Sequence, residues 1–182
     1  MQLKFYQDNE LPIEIKWQIL SFLRVEWPDG FVGKNQLRDW ITSECLHPVH
    51  FVLIENNLLV SFVGVVWKEL EHAGNTYKTY GLSGVFTYPS FRKHGYGLQL
   101  VKTAKEYIDK QDGDIVLFTS MKKGFYEKAT FILMNNSILL EGDPKQPTKH
   151  NEDIFMLFLS GKGKAARKDF ETKPIYFGED TW

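Results

Sequence analysis

The sequence predicts a mixed α/β (α+β) fold in which helices flank a mostly antiparallel central sheet, and three observations carry that prediction. Residues 85–108, VFTYPSFRKHGYGLQLVKTAKEYI, pass from a β-branched and aromatic strand through a glycine-containing loop into apolar residues at helical spacing. Two strand-like runs, residues 50–54 and 58–71, meet at Glu55-Asn56-Asn57, a short turn suited to a hairpin. The 182 residues, 43% hydrophobic, are enough for one domain (residues 1–182) with a substantial core and too few to expect two.

Taken in order, residues 2–7 alternate, with Leu3 and Phe5 on one side and Lys4 and Tyr6 on the other, as a strand does. Pro12 opens a helix that carries Ile13, Trp17, Leu20 and Leu23 at helical spacing, with Glu14 favourably placed in its first turn. Glu26-Trp27-Pro28-Asp29-Gly30 ends it. A second helix is predicted from Asn35, a candidate N-cap, with Leu37, Trp40, Ile41 and Cys45 on one face, which makes Cys45 a core residue. After the hairpin strands, a turn at Gly74-Asn75 leads into a strand over 76–87. Gly64 and Gly84 interrupt long strand patterns and predict bulges or close backbone approach. Beyond Ile108, Asp112-Gly113 stops the helix, and residues 115–119 read as a buried strand. A short helix or turn over 120–128, strand material at 131–133 and 138–140, and a loop over 141–151 follow. Residues 154–159 form the last core strand, residues 160–168 read as a small, basic, mobile segment, and 175–182 as a docked end. There is no internal repeat, low-complexity tract or linker.

The formal net charge of −1 argues against a nucleic-acid binder driven by bulk electrostatics. Aromatics, at 15%, are numerous enough to serve as core and pocket walls. The single cysteine, Cys45, excludes an intramolecular disulfide and a cysteine-rich metal site, and no metal is expected. The N-terminus MQLKFYQDNE lacks the apolar run of a signal peptide, and no stretch approaches membrane-spanning length. The expectation is a cytoplasmic enzyme that engages neither membrane nor nucleic acid.

Between strand and helix lie Arg92, Lys93, His94, Gly95, Tyr96 and Gly97. The glycines allow a tight turn, the helix start offers free N–H groups with partial positive charge, and Arg92 and Lys93 add cations: an anion site suited to a diphosphate. A Walker loop would end in Gly-Lys-Ser/Thr, which is missing, and a Rossmann fingerprint would place a third glycine where Leu100 stands. An ordinary glycine-rich turn remains open as a reading. The pattern R-x-x-G-x-G after V-x-x-x-P, followed downstream by Phe125-Tyr126-Glu127-Lys128 and Phe131, closely resembles the GNAT superfamily of N-acetyltransferases.

The resemblance implies a GNAT-type domain whose sheet splays between strands 76–87 and 115–119, with acetyl-CoA in the gap. It implies that backbone groups of Val85, Phe86 and Thr87 pair with the pantetheine arm, one N–H polarising the thioester carbonyl. The diphosphate would rest on N–H groups from Arg92 to Gly97. Tyr126 occupies the general-acid position, although a tyrosine there can also merely pack. Ser120 stands where many relatives have a cofactor-contacting asparagine. The base falls at Ser83, where many relatives have a carboxylate; Glu69, Glu71 and His72 are alternatives, and a low-pKa amine would need no base. Thr130 replaces the usual glycine before Phe131.

The two N-terminal helices would wall the acceptor site, making Glu26 and Asp29 candidate contacts for a cationic acceptor. The acidic pair Glu152-Asp153 and the ending Gly178-Glu179-Asp180-Thr181-Trp182 resemble the aminoglycoside 2′-N-acetyltransferases. That resemblance implies acceptor binding by Glu152, Asp153, Asp180 and Trp182, with Thr119 or Ser120 assisting; clustered carboxylates attract a polycation. The expected activity is acetyl transfer from acetyl-CoA to a primary amine of a small cationic acceptor, with an aminoglycoside as the named candidate. A polyamine, amino acid or protein amine as acceptor, or a non-catalytic acyl-CoA-binding module, are the alternatives, and the resemblance leaves room for a homodimer.

Overall fold

The computed structural model describes residues 1–178 and 182. The elements run β1 (Gln2–Gln7), α1 (Ile13–Glu26), β2 (Val49–Glu55), β3 (Leu58–His72), β4 (Asn75–Thr87), α2 (Tyr96–Ile108), β5 (Ile115–Ser120), α3 (Lys123–Glu127), β6 (Ile132–Leu133), β7 (Leu139–Glu141), β8 (Thr148–Lys149), β9 (Asp153–Phe158), α4 (Gly161–Ala165), α5 (Arg167–Thr172) and β10 (Ile175–Gly178). One sheet has the strand order β1-β2-β3-β4-β5-β9-β6; a smaller one has the order β10-β7-β8. Every pairing in the large sheet is antiparallel except that of β4 with β5.

Alternation along the strands divides the apolar residues among three cores. Val116 and Phe118 of β5 join Leu100, Val101 and Ala104 of α2, whereas Ile115 and Leu117 join Phe170, Ile175 and Phe177 beneath the small sheet. The third core packs Ile19, Phe22 and Leu23 of α1 on Val52, Phe62 and Phe86. In α1 the stripe includes the expected Leu20 and Leu23, but Ile13 and Trp17 are exposed and Ile15, Ile19 and Phe22 are buried instead.

The bulge expected at Gly84 is present. The β3–β4 register shifts between Phe62 and Gly64, so that Phe62 faces Phe86 but Gly64 faces Ser83. Gly84 takes φ +62, a conformation glycine adopts without steric cost. Gly64 is its complement: a Cβ there would lie 3.0 Å from the Ser83 carbonyl oxygen.

Two expectations are corrected. Residues 36–43 form no helix; only short 3-10 turns flank them, at Gly33–Asn35 and Glu44–Leu46. The Arg38 guanidinium lies 4.1 Å from the Phe31 ring centroid and 4.5 Å from that of Trp40. This wraps the segment around Phe31 rather than along a helix axis, and Asp39, Thr42 and Ser43 have weak helix propensity. Leu37 and Cys45 are consequently exposed, with the Cys45 sulfur 3.1 Å from the Ser43 hydroxyl. Residues 160–168 are also ordered into α4 and the start of α5. Ser160 accepts a bond from the Gly163 N–H at 2.9 Å and donates to Asp114 at 2.6 Å. Gly163 is packed so closely on the Asp114 carbonyl that a Cβ would stand 2.2 Å from it.

His50 is fully buried on β2, its Nε2 2.7 Å from Asp8 Oδ1 and its Nδ1 without a partner. Burial holds the imidazole pKa below its ordinary value, although Asp8 pulls the other way. The unfolded chain therefore binds the proton first, so this contribution is complete above the unfolded pKa of about 6.5 and is lost as pH falls through the lower folded value. Urea midpoints should drop between pH 7.5 and 5, and the drop should shrink in His50→Gln.

Candidate functional site

The site begins where two strands part. Strands β4 and β5 pair only at Thr79 with Ile115 and Tyr80 with Val116. Beyond that point β4 stays on β3 as far as Thr87, and β5 stays on β9 as far as Ser120. The inner edges from Gly81 and Leu117 onward therefore face a wedge-shaped gap rather than each other. A bulge bends its strand and increases local twist, and the one at Gly84 lies on the diverging arm of β4.

Val85, Phe86 and Thr87 form the outer part of that arm. Phe86 anchors it, stacked on Phe22 of α1 at 4.0 Å between centroids. Ser61 donates to the Phe86 carbonyl at 2.7 Å and lies 2.8 Å from the Thr87 hydroxyl. The chain then turns through Pro89–Phe91 to the loop, where Lys93 (φ +68) and Gly95 (φ +84) are left-handed. Gly95 precedes α2, so the N–H groups of Tyr96, Gly97 and Leu98 open the helix with no intrahelical acceptor. A Cβ on Gly97 would lie 2.9 Å from the Thr87 hydroxyl, so glycine lets the helix start sit directly on the strand. Lys93 and His94 are exposed, His94 stacking on Tyr96 at 5.7 Å. Arg92 is spoken for: its Nε donates to the Thr87 carbonyl at 2.9 Å and its Nη2 to Glu26 at 3.0 Å. Strand edge, loop and helix N-terminus thus form one continuous surface of backbone donors and acceptors, which suits an extended amide arm ending in a diphosphate.

Tyr126, on α3, is buried edge-on against Phe118 at 4.8 Å and Phe125 at 4.9 Å. Burial pushes its phenol up to about 12; the Ser120 hydroxyl lowers it and the Glu152 charge raises it further. It is therefore a neutral proton holder throughout the physiological range. Thr130 takes φ +70, and the Phe131 N–H donates to the Tyr126 carbonyl at 3.2 Å, so the turn expected of glycine is built with threonine.

The other expected site residues separate into groups. Ser83 lies half-buried beside the bulge. Glu71 and His72 lie at the β3–β4 hairpin, and Glu69 pairs with Lys78, all before the strands part; His72 is buried on Phe170. Glu26 is tied to Arg92, while Asp29 is exposed in the turn after α1. Glu152 and Asp153 meet the end of β5, Asp153 opposite Ser120 and 3.5 Å from the Lys123 ammonium. His150, not foreseen from sequence, lies 2.9 Å from Glu141 and 3.8 Å from Glu152. Trp182 inserts its indole at the apex of the gap, donating Nε1–H to the Leu117 carbonyl at 2.9 Å and lying over Gly81. Its carbonyl is 3.5 Å from the Thr119 N–H, and Lys68 Nζ lies 4.8 Å from its ring. Asp180, with Glu179 and Thr181, lies outside the described residues. Glycine within a strand marks close backbone approach, so Gly81 was the available sequence signal for the Trp182 contact.

Residues 4–133 match the family model for the acetyltransferase (GNAT) domain. Among solved structures, an aminoglycoside 6′-N-acetyltransferase complexed with coenzyme A superposes with TM-score 0.60 at 14% identity, covering 88% of this chain and 98% of that one. ElaA of Escherichia coli gives 0.58 at 15%, covering 86% and 99%. A probable N-acyltransferase of Enterococcus faecalis gives 0.57 at 15%, covering 74% of this chain; this chain spans only 33% of its length. No curated protein matches closely enough in sequence to count as a relative. No helix of the described residues is long and apolar enough to cross a membrane.

Proposed function

Since the chain belongs to the acetyltransferase (GNAT) family, we propose that it moves an acetyl group from acetyl-CoA to a primary amine of a small cationic acceptor, with an aminoglycoside as the first candidate. The observation that carries this reading is the early end of the β4–β5 pairing, which leaves the β5-facing side of Val85 to Thr87 without a neighbouring strand and leading to the N-terminus of α2. On this reading that edge holds the pantetheine arm as an added strand, and the N–H groups from Lys93 to Gly97 hold the diphosphate, the Arg92 N–H being taken by the Pro89 carbonyl. The bound co-substrate supplies a thioester carbonyl. The acceptor amine adds to that carbonyl, a backbone N–H beside the Gly84 bulge stabilises charge developing on its oxygen, and the C–S bond breaks as Tyr126 donates its proton to the departing sulfur; the proton shed by the new amide nitrogen then restores the phenol.

Support for a cationic acceptor comes from Glu141, Glu152 and Asp153, which gather near the end of β5. Lys123 partly offsets them, so the site attracts amines by an excess of carboxylate. The experiment is calorimetry with coenzyme A, followed by a thiol-release assay across aminoglycosides, polyamines, amino acids and peptide amines. Coenzyme uptake together with turnover of at least one aminoglycoside is expected. Turnover confined to another class transfers the reading to that acceptor, and absence of coenzyme uptake removes it.

A further inference from the structure

We propose that the Trp182 indole is the floor of the acyl pocket and restricts the donor to short acyl chains. The inference rests on the acyl-CoA reading of the gap and adds to it a determinant of donor specificity.

The cofactor edge has a direction. It runs from the N-terminus of α2 past Thr87, Phe86 and Val85 to the bulge at Gly84, and its continuation down β4 ends at the apex, where pairing with β5 begins. An arm anchored by its diphosphate at the loop and lying along this edge brings its thioester to the bulge, so its acyl group extends towards the apex. From Gly84 to Gly81 is three residues, about 10 Å at ~3.3 Å per residue, a span that an acetyl group leaves largely free and an extended decanoyl chain overruns. The far end of that space is where the indole sits.

The indole is fixed there from three sides. Gly81 has no side chain; a Cβ in its place would lie 1.4 Å from the indole Nε1, so the ring occupies volume that any other residue would fill. The indole Nε1–H satisfies the Leu117 carbonyl, which faces the gap after β5 has left β4. Phe177 of β10 packs edge-on against the ring at 4.7 Å. A longer acyl chain would have to expel the indole, breaking this bond and exposing the ring. Such a contact discriminates sharply, because one methylene too many in a closed apolar pocket is worth about tenfold or more.

The test titrates the full chain with coenzyme A, acetyl-CoA and decanoyl-CoA by calorimetry. The native protein should bind the first two comparably and decanoyl-CoA at least about tenfold more weakly than acetyl-CoA. Trp182→Ala should abolish that difference. Gly81→Ala should abolish it too, because its methyl displaces the ring from a chain whose Trp182 is intact, and cooperative melting of each variant checks that it folds. Should Trp182→Ala fail to fold, Trp182→Phe narrows the ratio by removing part of the ring. Native protein that binds decanoyl-CoA as tightly as acetyl-CoA, or folded variants with an unchanged ratio, overturns the proposal while leaving the acyl-CoA reading intact. Failure to bind coenzyme A itself removes both.

Discussion

Tyr126→Phe is expected to lower the rate of acetyl transfer about a hundredfold or more while leaving coenzyme A affinity and thermal stability nearly unchanged. The substitution keeps the ring that packs on Phe118 and Phe155 and removes only the hydroxyl beside Ser120. A phenol raised to about 12 is a weaker acid than a free one near 10, which by itself disfavours the role. The same desolvation acts on a thiolate leaving in the gap, however, and makes that anion a stronger base. The donor's high pKa also keeps it fully protonated at the start of each turnover. Thiol release under saturating acetyl-CoA measures the effect. A rate equal to that of the native protein would show that the leaving group takes its proton from elsewhere, and would reduce Tyr126 to a packing residue.

Gly84→Val should both destabilise the fold and close the cofactor edge. The native φ of +62 is a genuine outlier for a β-branched residue, with a cost on the order of 1–3 kcal/mol. The new side chain also meets Leu23 and Phe62, whose nearest atoms lie 3.2 Å from the Cβ position. Relief by straightening the bulge would restore the β3–β4 register and change the bend that carries Val85 to Thr87 away from β5. Coenzyme affinity should therefore fall at least about tenfold in the fraction that folds, equivalent to about 1.4 kcal/mol. Urea unfolding and calorimetry read the two effects separately. Native stability with native affinity would mean that the bulge does not depend on glycine.

What could be read from the sequence was local. Asn56 and Asn57 both adopt positive φ in the hairpin turn, Gly84 marks the bulge, and Gly95 ends the loop before α2; turn chemistry of this kind is written in a few adjacent residues. The errors came from distant partners. Apolar spacing from Leu37 to Cys45 looked helical, but the packing of Arg38 between Phe31 and Trp40 overrode it. Residues 160–168 looked mobile because their small, basic composition gives no hint that Asp114 will bond Ser160 and seat Gly163. The pairing of His150 with Glu141 and Glu152 depends on how β7, β8 and β9 come together, and no residue spacing encodes it.

The small sheet carries a consequence for the order in which the protein is assembled on the ribosome. Strand β10 pairs in parallel with β7 through Ile175 with Leu139 and Tyr176 with Leu140, and buries Ile175 and Phe177. A nascent chain halted before residue 175 already contains β4, β5 and the helix that opens the loop, yet its core beneath the small sheet is open and the apex of the gap is unfilled. The central hairpins can form during synthesis because their contacts are short-range, whereas closure of this core must wait for a long-range contact. Until then Leu117, Met156 and Phe170 are apolar surface that a chaperone has reason to hold.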